Sequence, residues 1–93
     1  MTPEIHIPVA ESEKFEIVDR LVAAADFADG KVTTIDGLRV DFDDGWGLIR
    51  ASNTGPNLTL RFEANSSSGL GMIQRRFREL LHRVDAGLDF EGD

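Results

Sequence analysis

Leu38-Arg39-Val40-Asp41-Phe42-Asp43-Asp44-Gly45-Trp46-Gly47-Leu48-Ile49-Arg50 is the stretch on which the fold turns. Leu38, Val40 and Phe42 alternate with Arg39 and Asp41, the two-residue period of a half-buried strand. Asp43-Asp44-Gly45 then reads as a three-residue hairpin loop with glycine at its left-handed position. That loop length sets Phe42 opposite Trp46 and Val40 opposite Leu48, so aromatic and aliphatic partners share a face. A five-residue loop from Ser52 to Pro56 leads into the next strand and sets Leu48 opposite Leu60 and Trp46 opposite Phe62. Both hairpins predict one core face carrying Val40, Phe42, Trp46, Leu48, Leu60 and Phe62.

Outward from this meander the chain is short and legible. Glu4-Ile5-His6-Ile7-Pro8-Val9 alternates as a strand, and Thr2-Pro3 ahead of it reads as the end of a linker. Ser12 is placed to cap a helix in which Phe15, Val18, Leu21, Val22 and Ala25 recur at helical spacing, widened by Ile17 and Ala24. Asp29-Gly30 ends it, and Lys31 to Ile35 is a short β-branched strand closed by Asp36-Gly37. Ser66-Ser67-Ser68 caps a second helix with the stripe Leu70, Ile73, Phe77, Leu80, Leu81 and Val84. Gly69 and Gly71 weaken its first turns by ~1 kcal/mol each relative to alanine, so that end is expected to fray. The order β-α-β-β-β-β-α predicts an α+β domain, an antiparallel sheet with both helices packed on one face. Residues 1–3 are expected to be linker, 4–85 the folded domain and 86–93 a flexible tail.

Composition narrows the function classes. With 93 residues and 41% hydrophobic content, one modest core is available. The absence of cysteine removes disulfides, thiolate metal sites and cysteine nucleophiles. No apolar run approaches the ~20 residues that cross a bilayer, and no signal-like region opens the chain. A cytoplasmic protein without membrane contact is expected. A net charge of -7 argues against nucleic-acid binding. The one dense basic cluster, Arg75-Arg76-Arg78 with His82 and Arg83, reads as a solvated helix face with its cations toward the C-terminal half.

Reactive constellations are lacking. Asp41, Asp43 and Asp44 alternate faces and then enter a turn, which does not converge on a metal. His6 and His82 are isolated, and Ser52 has no neighbouring base. What the chain does offer is a concentration of donors in Arg50-Ala51-Ser52-Asn53-Thr54-Gly55-Pro56. Arg50 supplies a planar fork suited to two phosphate oxygens. Ser52 and Thr54 bring hydroxyls and Asn53 an amide, while Gly55 and Pro56 shape the turn. From the predicted register, Arg50 follows Trp46 and Leu48 on the core face and emerges at the rim of the sheet. Arg61 points to the other face beside Thr59 and Glu63, as a cross-strand charge partner.

Asp36-Gly37-Leu38-Arg39-Val40, then Asp44 through Thr54, then Leu60-Arg61-Phe62-Glu63-Ala64 together resemble the C-terminal, fourth domain of bacterial phosphomannomutase/phosphoglucomutase, in the α-D-phosphohexomutase superfamily. The resemblance covers essentially the whole chain. It implies a fold like that of the TATA-binding-protein superfamily, without DNA binding. It also implies membership of a four-domain intramolecular phosphotransferase acting on mannose and glucose phosphates. In such enzymes the other domains carry a phosphoserine, an aspartate-bound Mg²⁺ and a sugar-reading loop, and the fourth grips the substrate's phosphate. Matched residue by residue, that grip falls on Arg50, Ser52, Asn53 and Thr54. The motifs of the other three domains are missing, so this domain is expected to need no cofactor and to be silent alone. Its expected partners are a hexose phosphate or bisphosphate and the other three domains. Gly55 departs from the Glu or Thr frequent in relatives, and Ala51 and Asn53 depart from the pattern of phosphoglucosamine mutases. Two competing readings are a stand-alone interaction or regulatory module that kept the fold, and a small enzyme using Ser52 or Asp41–Asp44.

Overall fold

The computed structural model describes residues 4–90, so residues 1–3 and 91–93, where the expected linker and the end of the expected tail fall, lie outside the described residues. Five strands and two helices follow in the expected order: β1 (Ile5–Pro8), α1 (Lys14–Ala24), β2 (Lys31–Thr33), β3 (Leu38–Phe42), β4 (Gly45–Ala51), β5 (Asn57–Ala64) and α2 (Ser67–Val84). The strands form one sheet in the order β1-β5-β4-β3-β2. Every neighbouring pair in it is antiparallel. Helix α1 packs on β3 and β4, α2 packs on β4 and β5, and the helices pack on each other. Hydrophobic side chains from one sheet face and both helices make a single core. Ile7, Leu38, Val40, Ile49, Leu58, Leu60 and Phe62 rise from the sheet to meet Val18, Leu21, Ile73, Phe77, Leu80 and Leu81.

The register of β4 differs from the expected one. Phe42 pairs with Gly45 and Val40 with Gly47, so the hairpin loop holds two residues, Asp43 and Asp44. On the other edge Ile49 pairs with Leu60 and Gly47 with Phe62. A one-residue slip exchanges the faces of a strand. Gly47, Ile49 and Ala51 therefore face the helices, and Trp46, Leu48 and Arg50 face outward. The cause lies above the sheet. A Cβ at Gly47 would meet the rings of Phe77 and Phe62, so α2 is seated where the strand carries no side chain. Trp46 instead lies on the outer face, with the Arg39 guanidinium 4.4 Å from its ring centroid.

Three further expectations are revised. Phe15 is 63% exposed, and Lys14, only 3% exposed, takes its place in the buried stripe with Val18 and Leu21. Ser12 does not cap α1, whose N-cap is Glu13 with no side-chain bond. Residues 86–90 are not a loose tail: Leu88 and Phe90 are buried, and Phe90 stacks on Phe62 at 5.4 Å between centroids. The apolar side chains at 88 and 90 give this short segment something to bury.

Ser66 does cap α2, its Oγ accepting from the Gly69 N–H at 3.0 Å. Ser66 Oγ also donates to Asp44 Oδ2 at 3.1 Å. A Cβ at Gly69 would collide with that carboxylate. The glycine expected to fray the helix thus admits an acidic group to its N-terminus, where the helix dipole favours negative charge.

Candidate functional site

The loop between β4 and β5 is closed by its own backbone. Ser52 N–H donates to Asn57 O at 3.0 Å and Asn57 N–H donates to Gly55 O at 2.9 Å. Thr54 N–H donates to Ser52 Oγ at 3.2 Å, and the Ser52 and Thr54 hydroxyls lie 3.5 Å apart. This is a serine turn, in which a hydroxyl replaces a backbone acceptor. It brings Ser52, Asn53 and Thr54 into one tight bend, with Asn53 and Thr54 exposed. On the far side Val9 N–H donates to Pro56 O at 2.9 Å, and His6 Nδ1 lies 3.2 Å from Asn57 Oδ1.

Arg50 stands on β4 as the strand enters this bend. Contrary to the expected register it lies on the outer face, opposite Thr59 of β5, and shares that face with Arg61. Its side chain is exposed. Among the described residues it has no hydrogen-bond or ion-pair partner, although it borders the same groove as Asp36. Gly37 holds the neighbouring loop against it. With φ at +123°, and with Ile49 O and Arg50 Cα where a Cβ would sit, position 37 accepts only glycine without strain.

Beside the bend runs a groove of ≈ 530 Å³ between α1 and the loop before β3. Phe15, Val18 and Val22 line it from α1 and Ile35 and Gly37 from the loop, and Asp19, Asp36, Arg50 and Asn53 give it polar lining of both charge signs. The size falls in the range of small-molecule sites. The site residues picked from the sequence, Arg50, Ser52, Asn53 and Thr54, thus belong to one strand end and one bend. Gly55 and Pro56 complete that bend.

Lys14 was missed. Its Nζ, on a side chain only 4% exposed, reaches Glu11 Oε2 at 3.0 Å. The same ammonium donates to Gly55 O at 3.1 Å. The sequence signal was available: a lysine four residues before Val18 and seven before Leu21 interrupts an apolar stripe, which calls for a buried acceptor.

Several other charged side chains are paired within the fold. Arg76 pairs with Asp29 at 2.6 Å and Arg78 with Asp89 at 3.0 Å, while Arg75 and Arg83 of the same helix are exposed to solvent. Hydrogen bonding from Arg76 lowers the Asp29 pKa. For Asp89 the lowering comes first from the Phe90 N–H and then from Arg78 and His82. Arg39 binds Asp41 through two nitrogens, Nη2 at 3.0 Å and Nε at 3.1 Å. That hydrogen bonding lowers the Asp41 carboxyl and raises the Arg39 guanidinium. Among the described residues no three His, Cys, Asp or Glu side chains converge to hold a metal ion, and no helix is long and apolar enough to cross a membrane.

The class defined here is a two-layer α+β domain whose polar bend has at its base an arginine without a partner among the described residues. Comparison with known proteins makes it specific. Residues 4–80 match the family described as phosphoglucomutase/phosphomannomutase, C-terminal domain, and the chain belongs to that family. It is 53% identical over 87 residues to a phosphomannomutase/phosphoglucomutase of Pseudomonas putida, covering 94% of this chain and 19% of the relative. The corresponding protein of Pseudomonas aeruginosa is 51% identical over the same length and shares. A solved phosphoglucomutase/phosphomannomutase family protein from Burkholderia thailandensis superposes with a TM-score of 0.83 at 42% identity, over 96% of this chain and 18% of that one. The chain therefore spans about a fifth of the length of these relatives.

Proposed function

We propose that this chain is the substrate-phosphate grip of a phosphohexomutase that interconverts hexose 1-phosphates and 6-phosphates, of glucose and mannose, through a bisphosphate intermediate. The observation that carries the reading is Arg50. It is an exposed guanidinium with no partner among the described residues, set at the base of a bend that gathers Ser52, Asn53 and Thr54. Its fork takes two phosphoryl oxygens, and the hydroxyls and the Asn53 amide supply donors for the remaining ones. The adjoining groove leaves room for the sugar.

A grip of this kind recognises phosphate and is indifferent to which end of the sugar carries it. That is what a mutase needs if its intermediate is to turn round and be held again by its other phosphate. Charge-assisted hydrogen bonds contribute about 1.5–3 kcal/mol each. A few of them, set against the cost of immobilising a small ligand, give weak affinity in the isolated chain, about millimolar. Phosphoryl transfer belongs to the other three domains of the parent enzyme, the partners of this one. Any Mg²⁺ would be held there. The parent is read as a cytoplasmic enzyme.

Calorimetric titration of the 93-residue chain tests the reading. Glucose 1-phosphate and glucose 6-phosphate bind with similar affinity and free glucose does not bind. Equal binding of free glucose, or no binding of either ester, contradicts it.

A further inference from the structure

We infer that Lys14 is a positioning residue that presets the phosphate bend; the inference rests on the reading of that bend given above. Lys14 is buried at the first position of α1, yet its ammonium reaches across 41 residues of sequence to Gly55 O at 3.1 Å. The same carbonyl accepts from the Asn57 N–H at 2.9 Å. Gly55 O is thus the point at which helix α1 and the bend are joined. The second partner of Lys14, Glu11, is largely exposed and lies one turn away on the same segment, so it holds the ammonium without touching the bend. Val9 N–H on Pro56 O adds a parallel backbone tie from that segment. The 9–14 stretch therefore clamps the exit of the bend while β4 fixes its entrance.

The consequence concerns affinity. Gly55 brings no side chain that could pack, so beyond the bend's own hydrogen bonds the Lys14 ammonium is what holds its carbonyl from outside. A bend fixed beforehand presents the Ser52, Asn53 and Thr54 donors without an ordering cost at binding. Lys14 contributes this through Gly55 alone, since its buried ammonium is engaged by acceptors of the fold.

Lys14→Met keeps the stem and removes the donors. In the 93-residue chain, amide exchange without ligand at Ser52 and Asn57 accelerates, while that of β1 and β3 is unchanged. Affinity for glucose 1-phosphate falls about tenfold, the loss of one charge-assisted hydrogen bond's worth of preorganisation. Lys14→Arg, which keeps donors at that reach, restores most of it. Glu11→Gln, which leaves the Gly55 bond in place, has little effect. Unchanged exchange at Ser52 and Asn57 in Lys14→Met overturns the inference, as does equal loss in Lys14→Arg, which would show a packing role. If the Met variant does not fold, Lys14→Gln is read by the same exchange criterion. Should the unsubstituted chain bind no glucose 1-phosphate, the phosphate reading fails, and the ligand-free exchange rates still decide whether Lys14 holds the bend.

Discussion

The two ends of β4 differ in what they do with their polar groups. At its start, Asp44 of the two-residue turn spends its polar groups inside the fold. Asp44 O accepts from Asn65 N–H at 2.8 Å, its carboxylate accepts from Ser66, and Gly69 is bare to let it in. At the other end, the Arg50–Pro56 bend closes its backbone but leaves the Arg50 guanidinium without a partner among the described residues. The contrast extends to the arginines of the outer face. Arg39 is chelated to Asp41 and stacked on Trp46, whereas Arg50 is engaged by neither carboxylate nor ring. Charge that is satisfied at home builds structure, and charge left over at a bend is available to a guest.

Substitutions separate the two ends, and the largest effect belongs to Arg50. Arg50→Lys keeps the charge but loses the fork. Affinity for glucose 1-phosphate drops at least about tenfold, with thermal stability within about 0.5 kcal/mol of the unsubstituted chain, as for surface changes generally. Retained affinity would show that Arg50 acts as a point charge or not at all. Gly37→Ala should come next, costing about 1–3 kcal/mol in denaturant unfolding, because a side chain at positive φ is also driven into the β4 backbone. It also displaces Arg50, so stability and affinity fall together, and loss of one alone would break the link between them.

At the structural end, Ser66→Ala removes the cap of α2 and costs about 1 kcal/mol of stability with no change in phosphate affinity. Any affinity loss there would blur the distinction between the ends of β4. The smallest effect is expected at Asp89, which ties the 86–90 segment to α2. Its pKa in the folded chain is lowered, so its stabilising contribution is present above about pH 4, the ordinary aspartate range, and lost as pH falls through the lowered value. Asp89→Asn should melt slightly below the unsubstituted chain at neutral pH and converge with it in acid. A difference independent of pH would mean that Asp89 contributes nothing through its charge.

Much of this was readable in the sequence, and the exception is instructive. Leu38, Val40, Leu60 and Phe62 face the core as their alternation predicts. For β4 the expected loop lengths place Trp46 and Leu48 on the core face, whereas the observed register places Gly47 and Ile49 there. Two hairpin loops, each misjudged by one residue, compensated for each other and gave a consistent but inverted strand. What decided the matter is tertiary: the Phe77 ring fills the space over Gly47. The bend was legible because donor chemistry and turn propensity belong to its own residues. Its anchor, Lys14, shows in the sequence only as a break in an apolar stripe, and the acceptor it needs lies 41 residues away. Residues 86–90 read as part of a polar tail, yet Leu88 and Phe90 are buried.

The central claim is that the Arg50 guanidinium and the Ser52–Thr54 bend together hold a sugar's phosphate. Following the backbone amides of the ¹⁵N-labelled chain during titration with glucose 1-phosphate tests it most directly. The account predicts saturable shifts concentrated from Arg50 to Asn57, absent with free glucose. Shifts confined to another surface, such as the Arg76–Arg83 face of α2, would contradict it.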